Sequence, residues 1–485
     1  MRILMLGWEF PPFIAGGLGT ACNGLVRALD RLDQEVLFVL PREADGNVTD
    51  KVRIVGPNVE RKSSSAPAAT APASNSDAEA EHVSSSVPIS EQQTGTDGFK
   101  NATFFSVPAG RTSPYNAFAP EEPGSLETLD SEQHPASPGA APGAIPPGVT
   151  PKQYKALAAA GVAPSPESYD GRSGDHYGGD MIGDSARYAR FVTTIAEREE
   201  FDVIHAHDWM TYAAGVAAST ISGKPLVAHV HSTEFDRSGE SVNQQIYNLE
   251  RLGMHAAERI IAVSKLTQSI CVRRYGVDPS KIEVVYNGID DDRMQPSQAQ
   301  NIASTDKIVL FLGRITMQKG PEYFVRAAKR VLEKYDNVKF VVAGAGDMAV
   351  RMIEEAANLG IGHKVLFTGF LRGKDVDRVF QMADCYVMPS VSEPFGIAPL
   401  EAMKNDVPVI ISKQSGVSEV LTHALKVDFW DVDEMANKIV AVLRYPPLSQ
   451  TLRQHGPMEL RGLTWDGAAK RTADVYQAVR ELELI

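Results

Sequence analysis

Cysteine is scarce: Cys22, Cys271 and Cys385 are the only three in 485 residues. They share no metal-ligand spacing, and any pairing leaves one thiol over. A disulfide framework and a cysteine-rich zinc site are therefore excluded as organising features. Free cysteines of this kind are most often buried and reduced. Long apolar runs are missing too, and none reaches the ~18–20 residues of a membrane span. Met1-Arg2-Ile3-Leu4-Met5-Leu6-Gly7 is too short for the apolar core of a signal peptide before it runs into Trp8-Glu9-Phe10-Pro11-Pro12. The expectation is a cytoplasmic protein without an integral membrane segment. Positive charge is in deficit, with 48 Lys and Arg against 61 Asp and Glu and a net charge of −13. That balance argues against nucleic acid or anionic membrane as the main partner. It leaves room for a local basic pocket that takes one phosphate group.

What is present is an alternation of short apolar runs and amphipathic stretches. A single core usually splits beyond ~250–300 residues, so two domains are expected. Residues 2–7 read as a strand. The prolines and glycines of Phe10 to Thr20 then make a turn, and Leu18, Cys22, Leu25, Leu29 and Leu32 repeat at helical steps before the strand Val36–Leu40. The glycine pattern is not G-x-G-x-x-G and Pro11-Pro12 is foreign to it, which argues against a nicotinamide site. Residues 61–98 and 119–176 are rich in Ser, Ala, Pro and Gly and read as low-complexity insertions in the first domain. The first of them is expected to be disordered. Thr103–Val107 returns between them as a strand. Further strands are expected at 202–209 and 226–234, each ending in a polar cluster, and at 259–263 and 282–286. Residues 291–306 read as a linker. The second half repeats the alternation, with strands at 307–312, 338–343, 365–368, 385–388 and 407–411 and a closing helix from Trp465 to the C-terminal end. Alternating β and α units specify parallel, doubly wound sheets. The expected organisation is a first domain over 1–295, a second over 306–464 and a closing helix over 465–485.

Ligands of such sheets bind beyond the carboxyl ends of the strands, and that is where the chemistry-bearing residues collect. Arg314 and Lys319 follow one strand, Gly344 and Gly346 the next, and Glu393 and Glu401 flank a strand-to-helix turn containing Pro394, Phe395, Gly396 and Ile397. A helix starting there points free N–H groups forward and favours an anion. Taken singly, the charges read as solvated, the glycines as turn residues and His231 as structural. Taken jointly, cations for a leaving phosphate, a helix end and acids for hydroxyls describe a nucleotide-sugar site. His205, His207, His229 and His231 form two H-x-H pairs that put their rings on one face of a strand, a conceivable metal site. No Cys or carboxylate pattern matches them, and no metal is expected. Asp375-Val376-Asp377 and Asp431-Val432-Asp433 read as solvated helix positions.

These motifs together resemble those of the retaining glycosyltransferases with two Rossmann-like domains, the GT-B architecture. More narrowly, the chain is similar to the group 1 (family 4) glycosyltransferases and their glycogen and starch synthase relatives. The resemblance rests on Gly16-Gly17-Leu18-Gly19, Asp202 to Trp209, His231, Val263-Ser264, Asn287 to Asp290, Gly313-Arg314 with Lys319-Gly320, Gly344-Ala345-Gly346 and Glu393 through Glu401. It covers the chain apart from the low-complexity stretches. It implies an α/β fold with an interdomain cleft and a metal-independent enzyme without a cofactor. Such an enzyme moves a hexose from an ADP-, UDP- or GDP-linked donor to a glycan acceptor. By position, the resemblance implies that Arg314 and Lys319 bind the diphosphate, Glu401 the ribose and Glu393 the sugar near its reacting carbon. It places His231 beside the sugar and gives Gly16 and Gly17 backbone N–H groups for the donor. Gly344, Gly346, Phe395, Gly396 and Ile397 would complete the donor site, with His207 and Asp208 on the acceptor side. Ile14 stands where bacterial glycogen and starch synthases commonly carry lysine, which argues against strict ADP-glucose use. Trp8 to Pro12 and His207-Asp208-Trp209 resemble the α-glucan synthases and favour glucosyl transfer. The alternatives are a family 4 transferase for another sugar or a lipid or small-molecule acceptor, a sugar-nucleotide epimerase, and a non-catalytic nucleotide-sugar sensor.

Overall fold

A computed structural model describes residues 1–11, 16–41, 54–55, 102–106, 145, 149–162, 181–290 and 306–483. The expected disorder of 61–98, the position of Ile14 and most of the linker lie outside these residues.

The chain forms two parallel sheets. The first contains β1 (Arg2–Leu6), β2 (Glu35–Leu40), β3 (Ile54–Val55), β4 (Ala102–Ser106), β5 (Val203–His207), β6 (Leu226–Val230), β7 (Arg259–Ala262) and β8 (Ile282–Val284). The second contains β9 (Lys307–Leu312), β10 (Val338–Ala343), β11 (Val365–Gly369), β12 (Cys385–Met388), β13 (Val409–Ser412) and β14 (Leu425–Val427). The strand orders are β3-β4-β2-β1-β5-β6-β7-β8 and β11-β10-β9-β12-β13-β14. Helices cover both faces of a parallel sheet, so its central strands read as unbroken apolar runs. Ile3 to Leu6, Val36 to Leu40 and Val203 to Ala206 are buried throughout. The three cysteines are free and buried.

In each sheet the order reverses beside the first strand, between β1 and β5 and between β9 and β12. Such reversals open a crevice at the carboxyl ends of the strands. The loops after β1, β5 and β6 face the loops after β9, β10 and β12 across one cleft.

Two crossings join the halves side by side. Ile289, just before the linker, donates its N–H to the Leu463 carbonyl at 2.9 Å and bridges Thr464. The helix Trp465–Glu483 then returns to the first half and packs on the helix Gly17–Arg31. Gly24 makes that packing possible, because a Cβ there would stand 2.2 Å from the Trp465 ring. Trp465 is buried, and Arg31 donates from Nε to Asp466 at 2.8 Å.

One compositional reading needs correcting. Within 119–176, Pro151–Ala159 is a helix with a complete capping box: Thr150 Oγ1 accepts from Gln153 N at 3.1 Å, and Gln153 Oε1 accepts from Thr150 N at 3.0 Å. Ala156 and Leu157 are buried against the helices Met181–Arg198 and Trp209–Ser222. The Thr-Pro-x-Gln signature of a helix start was hidden by the surrounding Ala, Gly and Pro.

Overpacking a filled contact costs ~1–3 kcal/mol. Gly24→Ala is therefore expected to lower the unfolding free energy by that amount in urea titration. Gly462→Ala, whose Cβ meets nothing within 4 Å, should stay within about 0.5 kcal/mol of the parent.

Candidate functional site

The second half supplies a charged wall. The loop after β9 ends in the short turn Met317–Lys319, and Gly320 closes it with φ 63°. The Gly320 α-carbon lies against the end of β12, and a Cβ would sit 2.2 Å from the Pro389 carbonyl oxygen. Val391 N–H donates to the Gln318 carbonyl at 2.9 Å and ties the two loops together. That approach brings Lys319 Nζ onto the Glu393 carboxylate as an ion pair, and Ser390 Oγ donates to the same carboxylate at 3.1 Å. Glu393 is 6% exposed, so its charge is matched inside the protein. Arg314 donates to Gln318 Oε1 at 3.4 Å beside it. The backbone of Glu393 is fixed from both sides, its N–H on the Gln414 carbonyl at 3.0 Å and its carbonyl accepting from Gly416 N at 2.9 Å. Phe395, Gly396 and Ile397 then turn the chain into the helix Ala398–Lys404, whose first turn carries Glu401.

The first half supplies the opposite wall. Gly16 and Gly17 open the helix Gly17–Arg31, with no acidic residue in its first turn and no atom within 4 Å of a Cβ at either glycine. The amino end of a helix carries partial positive charge and unpaired N–H groups. Asp208 follows β5 with φ 59° and precedes the helix Trp209–Ser222. Its Oδ1 accepts from His231 N at 2.7 Å and from Ser232 N at 3.2 Å, which pins the loop after β6.

The cleft between the walls measures about 650 Å³. Gly16, Gly17, Asp208, His231, Arg314, Lys319, Gly344, Glu393, Phe395, Gly396, Ile397 and Glu401 all line it. Two residues singled out from the sequence do not. Gly346 packs the loop after β10 onto the loop after β9, where a Cβ would meet the Ile315 carbonyl oxygen at 2.3 Å. His207 is wholly buried behind His231, with its Nδ1 2.8 Å from His231 Nε2. Lining residues that were not singled out in the sequence include Phe370 and Arg372. Phe370 and Arg372 form a rim, the guanidinium 5.2 Å above the ring, and the ring is 49% exposed. Asp377, read as solvated, faces the cleft, whereas its neighbour Asp375 pairs with Arg378 in solvent. Phe370 follows a Gly in a stretch without periodicity, and only its exposure marks it.

Burial governs the ionisation of the wall. Desolvation pushes Asp208 up to about 7 against the pull of Arg237 and the two backbone donors. Desolvation, helped by Asp377, pushes Glu401 up to about 7 as well, with Lys404 opposing. Burial lowers His231 to about 3 and keeps it neutral.

Between about pH 4 and about pH 7 the folded chain holds a proton on Glu401 that the unfolded chain has released, so stability falls as pH rises and the loss is complete above the folded value. Glu401→Gln mimics the protonated form. Its unfolding free energy should match the parent's below about pH 4 and exceed it at about pH 8.5 by on the order of 1–3 kcal/mol. A difference independent of pH would refute the assignment.

With the geometry in hand, likeness to known proteins is informative. The model for glycosyl transferases group 1 matches residues 292–458, that for glycosyltransferase family 4 matches 149–293, and that for the starch synthase catalytic domain matches 2–87. An uncharacterized glycosyltransferase of Methanocaldococcus jannaschii is 33% identical over 303 residues, 59% of this chain and 77% of that protein. A glycogen synthase of Mycobacterium tuberculosis is 26% identical over 291 residues, 58% of this chain and 70% of the other. Among solved structures, Anabaena HepE in complex with UDP and glucose superposes with a TM-score of 0.62 at 18% identity, covering 99% of this chain and 100% of that one. Sucrose-phosphate synthase of Thermosynechococcus elongatus gives 0.65 at 16%, covering 99% of both chains. At those identities the structures speak for the fold, two Rossmann-like domains about a cleft. The sequence matches speak for more: the chain belongs to the group 1 glycosyltransferases.

Proposed function

We propose that the protein is a retaining, metal-independent hexosyltransferase that moves a glucosyl unit from a nucleoside-diphosphate glucose to a glycan of the α-glucan type. One observation carries this reading: Arg314, Lys319, Glu393 and Glu401 from one domain face Gly16, Gly17 and His231 from the other across a single cleft. In this reading the donor diphosphate lies between the two cations and the amino end of the helix Gly17–Arg31. These supply the positive charge that a metal ion would otherwise provide. Glu401 takes the ribose hydroxyls. Two names among the similar proteins support the sugar and acceptor, the glycogen synthase and the HepE complex holding UDP and glucose.

The ion pair with Glu393 gives Lys319 a second role in this reading. An arriving diphosphate competes with Glu393 for Lys319. Once Lys319 turns to phosphate, the Glu393 carboxylate is released toward the sugar hydroxyls. The bond between the anomeric carbon and the diphosphate oxygen then breaks, and its electron pair leaves with the diphosphate, stabilised by Arg314 and Lys319. The acceptor hydroxyl oxygen bonds to the anomeric carbon from the same face, and its proton passes to the departing phosphate oxygen. No protein base is required, and Glu393 acts on the developing positive charge of the ring.

Lys319→Ala is expected to lower kcat by about 100- to 1000-fold, the usual loss on removing a preorganised charge from a transition state. Glu393→Gln should lower kcat at least about tenfold while nucleoside diphosphate binding, measured by calorimetry, holds or tightens because Lys319 is released. Full activity in both variants would sink the residue roles.

A panel of ADP-, UDP- and GDP-sugars, read by nucleotide release with glycogen and simple sugars as acceptors, tests the reaction itself. Acceptor-dependent release from a glucose donor with the α-anomer in the product is the expected result. Turnover to an isomer without acceptor would make the protein an epimerase, and tight binding without turnover would make it a sensor.

A further inference from the structure

One end of the cleft has no task in the transfer reaction. The loops of the second domain follow the strand order β11, β10, β9, β12. Glu393 stands after β12, and Arg314 and Lys319 stand after β9. After β11 come Phe370, Leu371, Arg372, Gly373, Val376 and Asp377, and all of them line the cleft. A donor held at its diphosphate by the cations, with its sugar toward Glu393, points its base toward the β11 end. Glu401, assigned to the ribose, adjoins that end, since the charge of Asp377 acts on it.

Two kinds of group stand at that end. The Arg372 guanidinium lies 5.2 Å from the centroid of the Phe370 ring, and 49% of Phe370 stays exposed. An exposed ring backed by a cation is a stacking surface, and stacking accepts any base because every base has a π face. It supplies affinity without choice. Asp377 differs in kind. It is half-buried on the helix Lys374–Met382, and among the described residues it forms no hydrogen bond or ion pair. The helix start does not depend on it, because Asp375 stands in the same first turn and pairs with Arg378. Its effect on Glu401 is repulsive. Such an acid gains a partner when a ligand brings a hydrogen-bond donor. Adenine, guanine and cytosine each carry an exocyclic amino group on the base edge, and guanine adds an N1–H beside it that can meet the second carboxylate oxygen. Uracil instead presents two carbonyl oxygens with one N–H between them, and those oxygens repel a carboxylate.

We propose that Asp377 selects the base of the donor by accepting from an exocyclic amino group, while Phe370 and Arg372 stack on the base face. The donor is then a guanine-, adenine- or cytosine-linked sugar in preference to a uracil-linked one, and guanine is the best match. The proposal names the base within the transferase reading and rests on that reading. Asp377 is a specificity residue: it touches the base and stands at the other end of the donor from the reacting carbon.

Calorimetric titration of the full chain with GDP, ADP, CDP and UDP near neutral pH tests it. CDP against UDP is the decisive pair, because the ribose, the diphosphate and the ring size are the same and the amino group is exchanged for a carbonyl. CDP is expected to bind at least about tenfold tighter than UDP, and GDP tighter still, the usual gain from a hydrogen bond to a charged group. Asp377→Asn should bring CDP and UDP within about threefold of each other or reverse the preference, since an amide can also donate to a carbonyl. Removing the charge beside Glu401 acts on all these nucleotides alike and cancels in the ratio. Phe370→Ala should weaken all of them by a similar factor, about five- to fiftyfold, and leave the ratio in place. UDP binding as tightly as CDP in the parent overturns the proposal, and so does a CDP-to-UDP ratio that survives Asp377→Asn. In both cases nucleotides still bind and the transferase reading stands. Failure of every nucleotide to bind overturns both.

Discussion

A buried carboxylate at a domain junction needs a cation, and the loops around the cleft are arranged by that need. Leaving Glu393 unpaired at its depth would cost several kcal/mol. Lys319 reaches it only because the loop after β9 lies flat on the end of β12, and it lies flat only because Gly320 has no side chain to strike the Pro389 carbonyl. The Gln318 carbonyl that accepts from Val391 holds the same two loops at the same distance. The ion pair, the glycine and the backbone bond form one construction, and loss of any part would open the cleft wall. The pair is also reversible in a way an apolar contact is not. A ligand of higher negative charge would compete with one carboxylate for that lysine, so the pair can exchange partners without unfolding the loops.

The opposite wall is held by a different carboxylate used in a different way. Asp208 meets the backbone of the next loop, accepting from His231 N and Ser232 N while Arg237 acts on it through the electrostatic field and its own backbone sits at φ 59°. A left-handed conformation at a non-glycine residue is uncommon and costs of order 1 kcal/mol or more. The strain turns the chain sharply from β5 into the helix Trp209–Ser222 and leaves the carboxylate aimed at the end of β6. Two backbone donors on one oxygen favour the charged form, yet desolvation wins and holds the group near neutrality. The position of His231 is thus set in front by Asp208 and behind by His207, and neither contact depends on a ligand.

How much of this could be read in the sequence depends on what each signal measures. Buried parallel strands announce themselves as apolar runs, so β9, β10 and β12 were legible to the residue, and β5 and β6 nearly so. The spacing of Glu393 and Glu401 around Pro394 and Gly396 also survived, because a strand-to-helix turn leaves few conformations open. Depth did not survive. The sheet pattern places His207 on the same face as the cleft-lining His231 but cannot say that it lies one layer behind it, and Gly346 serves a loop contact while looking like a ligand loop. Composition misled at Pro151–Ala159, where a Thr-Pro-x-Gln cap was outweighed by Ala and Pro neighbours. Exposure is the least legible property of all. Phe370 and Asp377 belong to the cleft by virtue of where the second domain stops and the first begins, and no local pattern records that.

The contacts between domains fall on the same few residues as the chemistry, and this constrains how the cleft can open. Ser392, next to Glu393, donates to Asp236, which also accepts from Thr233 N and Oγ1 at 2.8 Å each. Glu419 accepts from Lys265 N at 3.0 Å and Leu266 N at 2.8 Å, capping a helix of the other domain, and Gly416, whose N–H holds the Glu393 carbonyl, lies against Ser264. The loop carrying Glu393 is therefore clasped by the first domain on both sides of the acid. Separating the domains would break the Ser392–Asp236 bond and return to water a buried carboxylate whose pKa desolvation raises and the Ser392 hydrogen bond lowers. Domain contact and assembly of the charged wall are thus coupled: the Ser392 bond across the domains adjoins the acid paired with Lys319. The contacts that join the domains therefore also fix the backbone on either side of Glu393 in the cleft wall.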